Sequence, residues 1–405
     1  MKSEGNLVFK AYGKCLIAGG YAILNENQPG LVIGSKHYFE SSVIHSEKRI
    51  YDDSTIEILI KTPQFPTPSD YKILWDTMKR SCVLLSGNSF IDAAVNNALL
   101  ASTFRTSKHY QLPSKISIEI HQTSGFIRTK HIKNPNDSRI YPVYDCPVTE
   151  ADKTGLGSSA ALIVSLTGVL LKLCATIDDS RFIAAVELVS HCANSQAQNK
   201  QGSGFDICAA VYGSHTFTRL PPASVCAAAI AMADGVDRGG LAGIVDMCGR
   251  RPAASGLQME ACELLLVEFA SGSDTRVAVK QVMAWLDSHE VEREEFLQMS
   301  ERLVLQISWD LSTGDQKGLA ERCVEYRKLM RDLGNNCGVP VEPEEATAIL
   351  DKLQELGALY AVCPGAGGYD ALAVIVNANK SRCDIERMLE KCRESTKNSS
   401  IAMIS

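Results

Sequence analysis

Glycines, paired serines and a lysine lie together in the stretch DKTGLGSSAAL, which runs from Asp152 to Leu162. An apolar helix is expected to begin at Ser158, and the amides of its first turn have no partner within the helix. These amides, the positive end of the helix dipole and the serine hydroxyls suit a phosphate group. A Walker-type loop has its lysine after the last glycine, whereas Lys153 precedes the first one here. The alternative is a plain serine N-cap on a buried helix.

Three further stretches carry residues that suit phosphoryl transfer. Lys14, in AYGKCLIAGGYAIL, projects from a strand toward a cleft or is a solvated lysine at a strand end. Asp206, in KQGSGFDICAAVYGS, is a catalytic or orienting acid, or a carboxylate that stabilises a helix start. Gly365, Gly367 and Gly368, in CPGAGGYDALAVIV, allow close approach of a ligand to the backbone, or form a tight hairpin.

The elements that must position these residues begin with a β-rich part. The strand-like runs are NLVFKAYG, KCLIAGGYAIL, GLVIGS, STIEILIK and KISIEIHQ. Helices are predicted from about Phe90 to Ala101, from Ser158 to about Cys174 and from about Ser180 to Gln198. A basic stretch at 127–147 without periodicity is predicted to be a long loop. The paired prolines Pro221 and Pro222 mark a predicted boundary between domains at 1–222 and 223–405.

The second part of the chain alternates strands and helices. The runs CELLLVEFA, LYAVC and ALAVIV are typical of buried strands. Helices are predicted at Asp274 to Leu286, Glu294 to Leu311, Lys317 to Leu333 and Glu344 to Leu356. A Gly- and Arg-rich segment at 235–256 is predicted to be a loop. The pattern indicates an α+β domain with a helical insertion.

Composition excludes several classes of function. The net charge of −6 and the 45% of apolar residues give no basic surface for nucleic acid or anionic membrane. Fourteen cysteines occur, but none forms a C-x-x-C pair or lies beside histidines at zinc-ligand spacing. The sequence therefore predicts neither a zinc-binding motif nor a redox motif. No signal pattern and no apolar run of membrane-spanning length appears, and the expected location is the cytoplasm.

The order of these motifs along the whole chain resembles the GHMP small-molecule kinase superfamily. Within it, the stretches AYGKCLIAGGYAIL, KTGLGSSAAL, AQNKQGSGFDICAAVYGS and ASGSDTRVAVKQVMAW are most similar to those of the eukaryotic-type phosphomevalonate kinases. The resemblance implies an N-terminal α/β domain that binds ATP, a C-terminal ferredoxin-like α+β domain, and an active site between them. It implies ATP and Mg²⁺ as cofactors and a cytoplasmic monomer or homodimer that binds no nucleic acid or membrane.

The same resemblance implies a role for each matching residue. Lys14 and Asp206 are expected at the transfer point and Lys153 at the substrate phosphate, with Ser159 near Mg²⁺. The ATP phosphates are expected to lie against Gly155, Leu156, Gly157, Ser158, Ser159 and Ala160. The other expected substrate contacts are Ser273, Thr275, Gly367 and Gly368. Basic side chains that would act as lids are Arg128, Lys130, Lys133, Arg139, Arg238, Arg250 and Arg251, for which simple solvation is the alternative.

The sequence departs from the superfamily pattern in two places, of which the first concerns the local backbone and the second the acceptor. Tyr12 stands where proline is usual in the first motif, and NSQAQNKQ contains no acid where mevalonate kinases have a magnesium-binding glutamate. The second departure argues against mevalonate as the acceptor. A phosphate acceptor, whose second pKa is about 6, needs no general base, whereas an alcohol acceptor does. The alternatives are another GHMP kinase, such as a mevalonate kinase, and a catalytically silent homologue that senses a metabolite.

Overall fold

The structure is a computed structural model. It describes residues 7–48, 54–66, 70–103, 112–134, 139–235, 239–248, 256–259, 261–268, 275–369, 371–396 and 401–403.

A mixed β-sheet covered by helices forms the first part of the chain. Its strands are β1 Val8–Ala18, β2 Pro29–Glu47, β3 Thr55–Lys61, β4 Asp70–Asp76, β5 Ser81–Leu84, β6 Lys115–Gln122 and β7 His215–Thr218. Its helices are α1 Ser89–Ser102, α2 Ser158–Cys174, α3 Asp179–Gln198, α4 Phe205–Tyr212, α5 Pro222–Asp234 and α6 Gly240–Met247. The strand order is β1-β2-β6-β3-β4-β5, with β7 paired to β2, and only β3 and β6 run parallel.

Helix α2 occupies the centre of this part of the chain. It contacts β1 and β2 on one side and α1, α3 and α4 on the other. Its middle is buried on every face, because the consecutive residues 163–171 are all buried. A helix that is apolar all round is stable only when it is enclosed in this way. The loop before Ser158 is therefore fixed to the most buried element of the domain.

The second part is a ferredoxin-like α+β unit with a helical insertion. Its elements are β8 Cys262–Glu268, α7 Thr275–Ser288, α8 Glu290–Thr313, α9 Gln316–Cys337, α10 Glu344–Glu355, β9 Tyr360–Val362, β10 Ala371–Asn377, α11 Arg382–Thr396 and β11 Ala402–Met403. The sheet is antiparallel, in the order β11-β8-β10-β9. Its inner face packs on α10 and α11, through residues such as Leu350, Val374 and Leu389. This confirms the predicted fold class.

Helices α8 and α9 join the two parts. Val304 of α8 lies close to Gly19, and Arg293 donates to Asn25 Oδ1 at 2.8 Å. Helices α5 and α6, which follow the predicted boundary at residue 222, pack against α3 of the first part. The division into 1–222 and 223–405 stays a prediction.

Most of the predicted elements are confirmed, and three differ. The two N-terminal strand runs form one strand, β1, which has irregular pairing between Tyr12 and Lys14. The predicted loop at 235–256 is wrong for α6, because Leu241 and Ile244 are buried in the shared core and stabilise a helix despite the glycines. Strands β4, β5, β7 and β11 and helices α4, α5 and α11 were not predicted.

Candidate active site

Within the described segments, the backbone amides of the first turn of α2 have no hydrogen-bond partner. Gly155 and Gly157 adopt left-handed conformations, with φ of 82° and 78°, so both turns favour glycine. Gly157 is the N-cap residue, and no side chain caps the first turn. The amides that follow it therefore remain available to an anion, which the helix dipole also favours. This geometry fits the predicted phosphate-binding role of Gly155 to Ala160.

Neighbouring segments hold the glycine loop in place. The buried Thr154 hydroxyl donates to Gly125 O at 2.6 Å, and Thr154 N donates to Phe126 O at 3.2 Å. Leu156 is 1% exposed, and its carbonyl accepts a hydrogen bond from Lys14 N at 2.9 Å. The loop is thus preorganised before any ligand binds.

Lys14 reaches along this loop from β1. Its Nζ donates to Gly155 O at 3.2 Å and lies 5.0 Å from the centroid of the Phe205 ring. A Cβ atom at Gly157 would lie 3.0 Å from Lys14 Cε, so the absence of a side chain there gives the lysine its path. The structure therefore places one positive charge beside the amides of α2.

A cavity of about 330 Å³ opens between the two parts of the chain at this point. The first part contributes Lys14, Gly155, Ser203 and Phe205 to its wall, among others. The second part contributes Leu266, Val279, Pro364, Gly365, Ala366, Gly367 and Ala371. No aspartate or glutamate lines this cavity within the described ranges.

The glycine turn of the second part rests directly on β1. Gly365 N donates to Leu16 O at 2.9 Å, and the Tyr21 hydroxyl donates to Ala366 O at 2.6 Å. A Cβ at Gly20 would lie 2.2 Å from Gly365 O, so the two backbones meet with no room for a side chain. Gly367 lines the cavity, and its role as a substrate contact stays a prediction. Gly368 supports the turn from behind, through its N–H to Val341 O at 3.0 Å.

A second, smaller cavity lies against the start of α2. Its volume is about 90 Å³, and it is lined by Lys153, Ser158, Ser159 and Asn88 together with apolar side chains that include Phe65, Phe90, Ile120 and Leu162. Lys153 belongs to the lining of this cavity and not to that of the cavity that Lys14 lines. Its backbone is fixed by a bridge to Ile127. The two lysines that the sequence associates with phosphate thus line different cavities.

Asp206 lies in the first turn of α4, next to Phe205. Its Oδ1 accepts from Ile207 N at 3.0 Å. In the part of the chain that the structure describes, no hydrogen bond or ion pair joins Asp206 to Lys14, and Asp206 does not line the cavity. Phe205, which sequence reasoning missed, is the residue of this turn that lies against Lys14. Its position beside Asp206 in G-S-G-F-D was the available signal.

The remaining predicted substrate and lid residues have mixed outcomes. Ser273, Arg238, Arg250 and Arg251 lie outside the described residues, and Thr275 is the first residue of α7.

Arg128 forms an ion pair with Glu268 at the end of β8, which joins the two parts of the chain. Lys130 pairs with Asp152, and this hydrogen bond, with a second from His131, lowers the pKa of the Asp152 carboxyl. Lys133 and Arg139 lie in the same segment.

Family models match both parts of the chain. The model described as "GHMP kinases N terminal domain" matches residues 142–214, and that described as "GHMP kinases C terminal" matches residues 319–397. No described helix combines the length and the apolarity needed to cross a membrane.

Curated relatives match over most of their length. The chain is 27% identical to a phosphomevalonate kinase of Gibberella zeae, over 95% of this chain and 91% of the relative. It is 27% identical to one of Candida albicans, over 92% and 90%. It is 25% identical to one of Arabidopsis thaliana that is named peroxisomal, over 91% and 89%.

Solved structures share the fold. Streptococcus pneumoniae phosphomevalonate kinase, in complex with phosphomevalonate and AMPPNP, has a TM-score of 0.64 at 16% identity and covers 98% of both chains. Methanococcus jannaschii mevalonate kinase has a TM-score of 0.58 at 12% identity, over 99% of this chain and 98% of that one.

Proposed function

We propose that this chain, which belongs to the GHMP kinase family, transfers the γ-phosphoryl group of ATP to the phosphate of phosphomevalonate, forming diphosphomevalonate and ADP. This reaction belongs to the mevalonate pathway, which supplies isoprenoid and sterol precursors. The observation that carries the proposal is the wall of the larger cavity. Lys14 and Gly155 of the glycine loop line it, and no aspartate or glutamate of the described residues does. The names of the curated relatives support the same acceptor.

The negative charge of a phosphate acceptor explains why the cavity wall carries a lysine and no described carboxylate. A phosphomonoester has a second pKa of about 6, so its attacking oxygen is already an anion at neutral pH. That oxygen forms a bond to the γ-phosphorus while the bond from this phosphorus to the β-bridging oxygen breaks, and ADP leaves with the electron pair. No general base is needed, whereas the repulsion between the two phosphates must be offset. Lys14 and the amides of α2 supply positive charge where it is required.

Asp206 is proposed as an orienting group. Its carboxylate lies one residue beyond Phe205, on which the Lys14 ammonium rests. From the first turn of α4 it would act on the position of Lys14 or of the substrate, and not as a proton acceptor. The other proposed contacts to the acceptor are Ser273, Thr275, Gly367 and Gly368.

The smaller cavity suits the nucleotide. Its apolar lining fits an adenine ring, and Ser158 and Ser159 stand at the start of α2, where the phosphates would meet the free amides. Lys153 lines the same cavity, so we assign it to the nucleotide side of the loop instead of the predicted acceptor side. The glycine loop between the two cavities is then the place where donor and acceptor phosphates meet.

The residues present fit Mg²⁺ that arrives with ATP. Mg²⁺ retains several waters and takes few protein ligands besides substrate phosphates. Ser159 offers a hydroxyl oxygen beside the expected phosphates, and no described carboxylate lines the smaller cavity. When bound, the ion would neutralise charge on the β- and γ-phosphates. A cytoplasmic location and a monomeric or homodimeric state complete the proposal.

An acceptor comparison tests this function. The purified protein is mixed with ATP and Mg²⁺ and with phosphomevalonate, mevalonate or homoserine in turn, and ADP release is measured. Phosphomevalonate is expected to be the preferred acceptor, with Lys14→Met as the inactive control. Turnover of mevalonate alone would identify a mevalonate kinase instead. No ADP above background with any acceptor would favour a silent, metabolite-sensing homologue.

A further inference from the structure

Three ligand-type side chains meet in the core below the substrate cleft. Glu187 and His191 are one helical turn apart on α3 and therefore lie on the same face, and Cys208 approaches them from α4. All three are buried, at 5%, 7% and 0% exposure. This arrangement is separate from the residues that the proposed reaction uses.

Two of the three distances between these atoms are close to those between ligands of one zinc ion, and the third is shorter. Cys208 Sγ lies 3.7 Å from His191 Nε2 and 2.9 Å from Glu187 Oε1, and His191 Nε2 lies 3.6 Å from Glu187 Oε1. Sulfur, nitrogen and oxygen ligands at Zn²⁺ bond lengths of about 2.0–2.3 Å and tetrahedral angles stand about 3.3–3.6 Å apart. One ion can therefore contact all three atoms once the shortest edge, between Cys208 Sγ and Glu187 Oε1, lengthens by about 0.5 Å.

The surroundings support the same geometry. The Tyr212 hydroxyl donates to Glu187 Oε2 at 2.9 Å, which orients the carboxylate as an outer-shell partner does around zinc. Gly204, with φ of 83°, stands where a Cβ would lie 2.3 Å from His191 Cε1. Because Gly204 has no side chain, the His191 imidazole fits against it.

Zinc binding is also compatible with the charges of the three side chains. A buried carboxylate is costly unless its charge is compensated. Zn²⁺ with one carboxylate, one thiolate and a neutral imidazole forms a neutral unit, and the thiol proton is released to solvent on binding. We propose that Glu187, His191 and Cys208 bind one zinc ion that ties α3 to α4. The sequence hides the site because its cysteine is distant from the other two ligands and belongs to another helix.

Metal analysis of the full-length protein tests the proposal. The protein is incubated with a slight excess of zinc, dialysed, and assayed by mass spectrometry for zinc per chain. Wild type is expected to retain one zinc, and Cys208→Ser and His191→Gln to lose it. Cys192→Ser is the matched control, because this buried thiol lies on α3 outside the cluster and donates to Val225 O. It is expected to retain the metal.

Cobalt substitution provides a readout that does not depend on the folding of a variant. Co²⁺ bound to the wild-type site is expected to give a near-ultraviolet band from thiolate-to-cobalt charge transfer. Cys146→Ser removes the thiol of a partly exposed group of His131, Asp145 and Cys146, and the band is expected to persist in this variant. Wild type that retains no zinc and shows no cobalt band would overturn the proposal. Loss of metal in Cys146→Ser, with retention in Cys208→Ser, would do the same.

Discussion

Replacing Lys14 with methionine removes one positive charge from the cleft and keeps a side chain of comparable length. The Lys14 ammonium lies 3.2 Å from Gly155 O, within the loop that is proposed to hold the ATP phosphates. Methionine is unbranched and fits the channel that Gly157 leaves open. The variant therefore isolates the electrostatic contribution of this residue.

The expected loss follows from Coulomb's law. A unit charge about 4 Å from a phosphate oxygen contributes about 4 kcal/mol at an effective dielectric constant of about 20. Each 1.36 kcal/mol in the barrier is about tenfold in rate. If the contact strengthens as the two phosphates approach each other, Lys14→Met is expected to lower kcat by about a thousandfold.

Steady-state ADP release measures this loss, with ATP and phosphomevalonate each varied. Lys10→Met is the matched control, because Lys10 lies on the same strand and pairs with Glu40 at 3.3 Å, away from the cavity lining. It is expected to retain wild-type kcat. A loss of less than about tenfold in a folded Lys14→Met protein would refute the electrostatic reasoning. A rise in KM with unchanged kcat would show uniform binding instead.

Three further predictions concern the loop, the domain contact and acid stability. Lys153→Met is expected to raise KM for ATP more than KM for the acceptor; the opposite split in steady-state kinetics would place this lysine at the acceptor phosphate. Gly20→Ala puts a Cβ 2.2 Å from Gly365 O and is expected to lower both Tm and kcat, whereas Gly256→Ala, with open space around it, changes neither. Burial lowers the pKa of His37 from 6.5 to about 4, so the unfolded chain binds more protons between these values and the free energy of unfolding falls by about 3 kcal/mol as pH drops through them. Urea unfolding at several pH values measures this loss, which His37→Gln should reduce; an equal loss in both proteins would contradict the assignment.

Helix α2 and the loop before it could be predicted from the sequence because their signals are local. A segment that is apolar on nearly all sides, directly after a glycine loop, predicts a helix from Ser158 to about Cys174, and the structure has the same bounds. The side of the loop that Lys153 faces depends instead on a bridge to Ile127, which is distant in sequence. Patterns within a short window carry no information about such a contact.

The second part of the chain shows the same limit. The buried strands β8 and β10 were predicted from continuous apolar runs. The order β11-β8-β10-β9 was not predicted, because β11 spans just Ala402–Met403 and has no pattern of its own. Pairing with β8 creates this strand, so tertiary context decides it.

The cleft also depends on tyrosine hydroxyls that no motif marks. Tyr360 Oη donates to Ile17 O at 2.9 Å, and Gly20 N donates to Tyr326 Oη at 3.3 Å. Burial raises the pKa of Tyr326 to about 12, so its hydroxyl stays neutral across the working pH range of an enzyme. Together with the Tyr21 contact to Ala366, these bonds fix the second part of the chain against the strand that carries Lys14. Charges held in place before the reaction stabilise a transition state without reorganisation. Under the proposed function, the cleft offsets repulsion between two phosphates and moves no proton, so its fixed walls would stabilise the transition state directly.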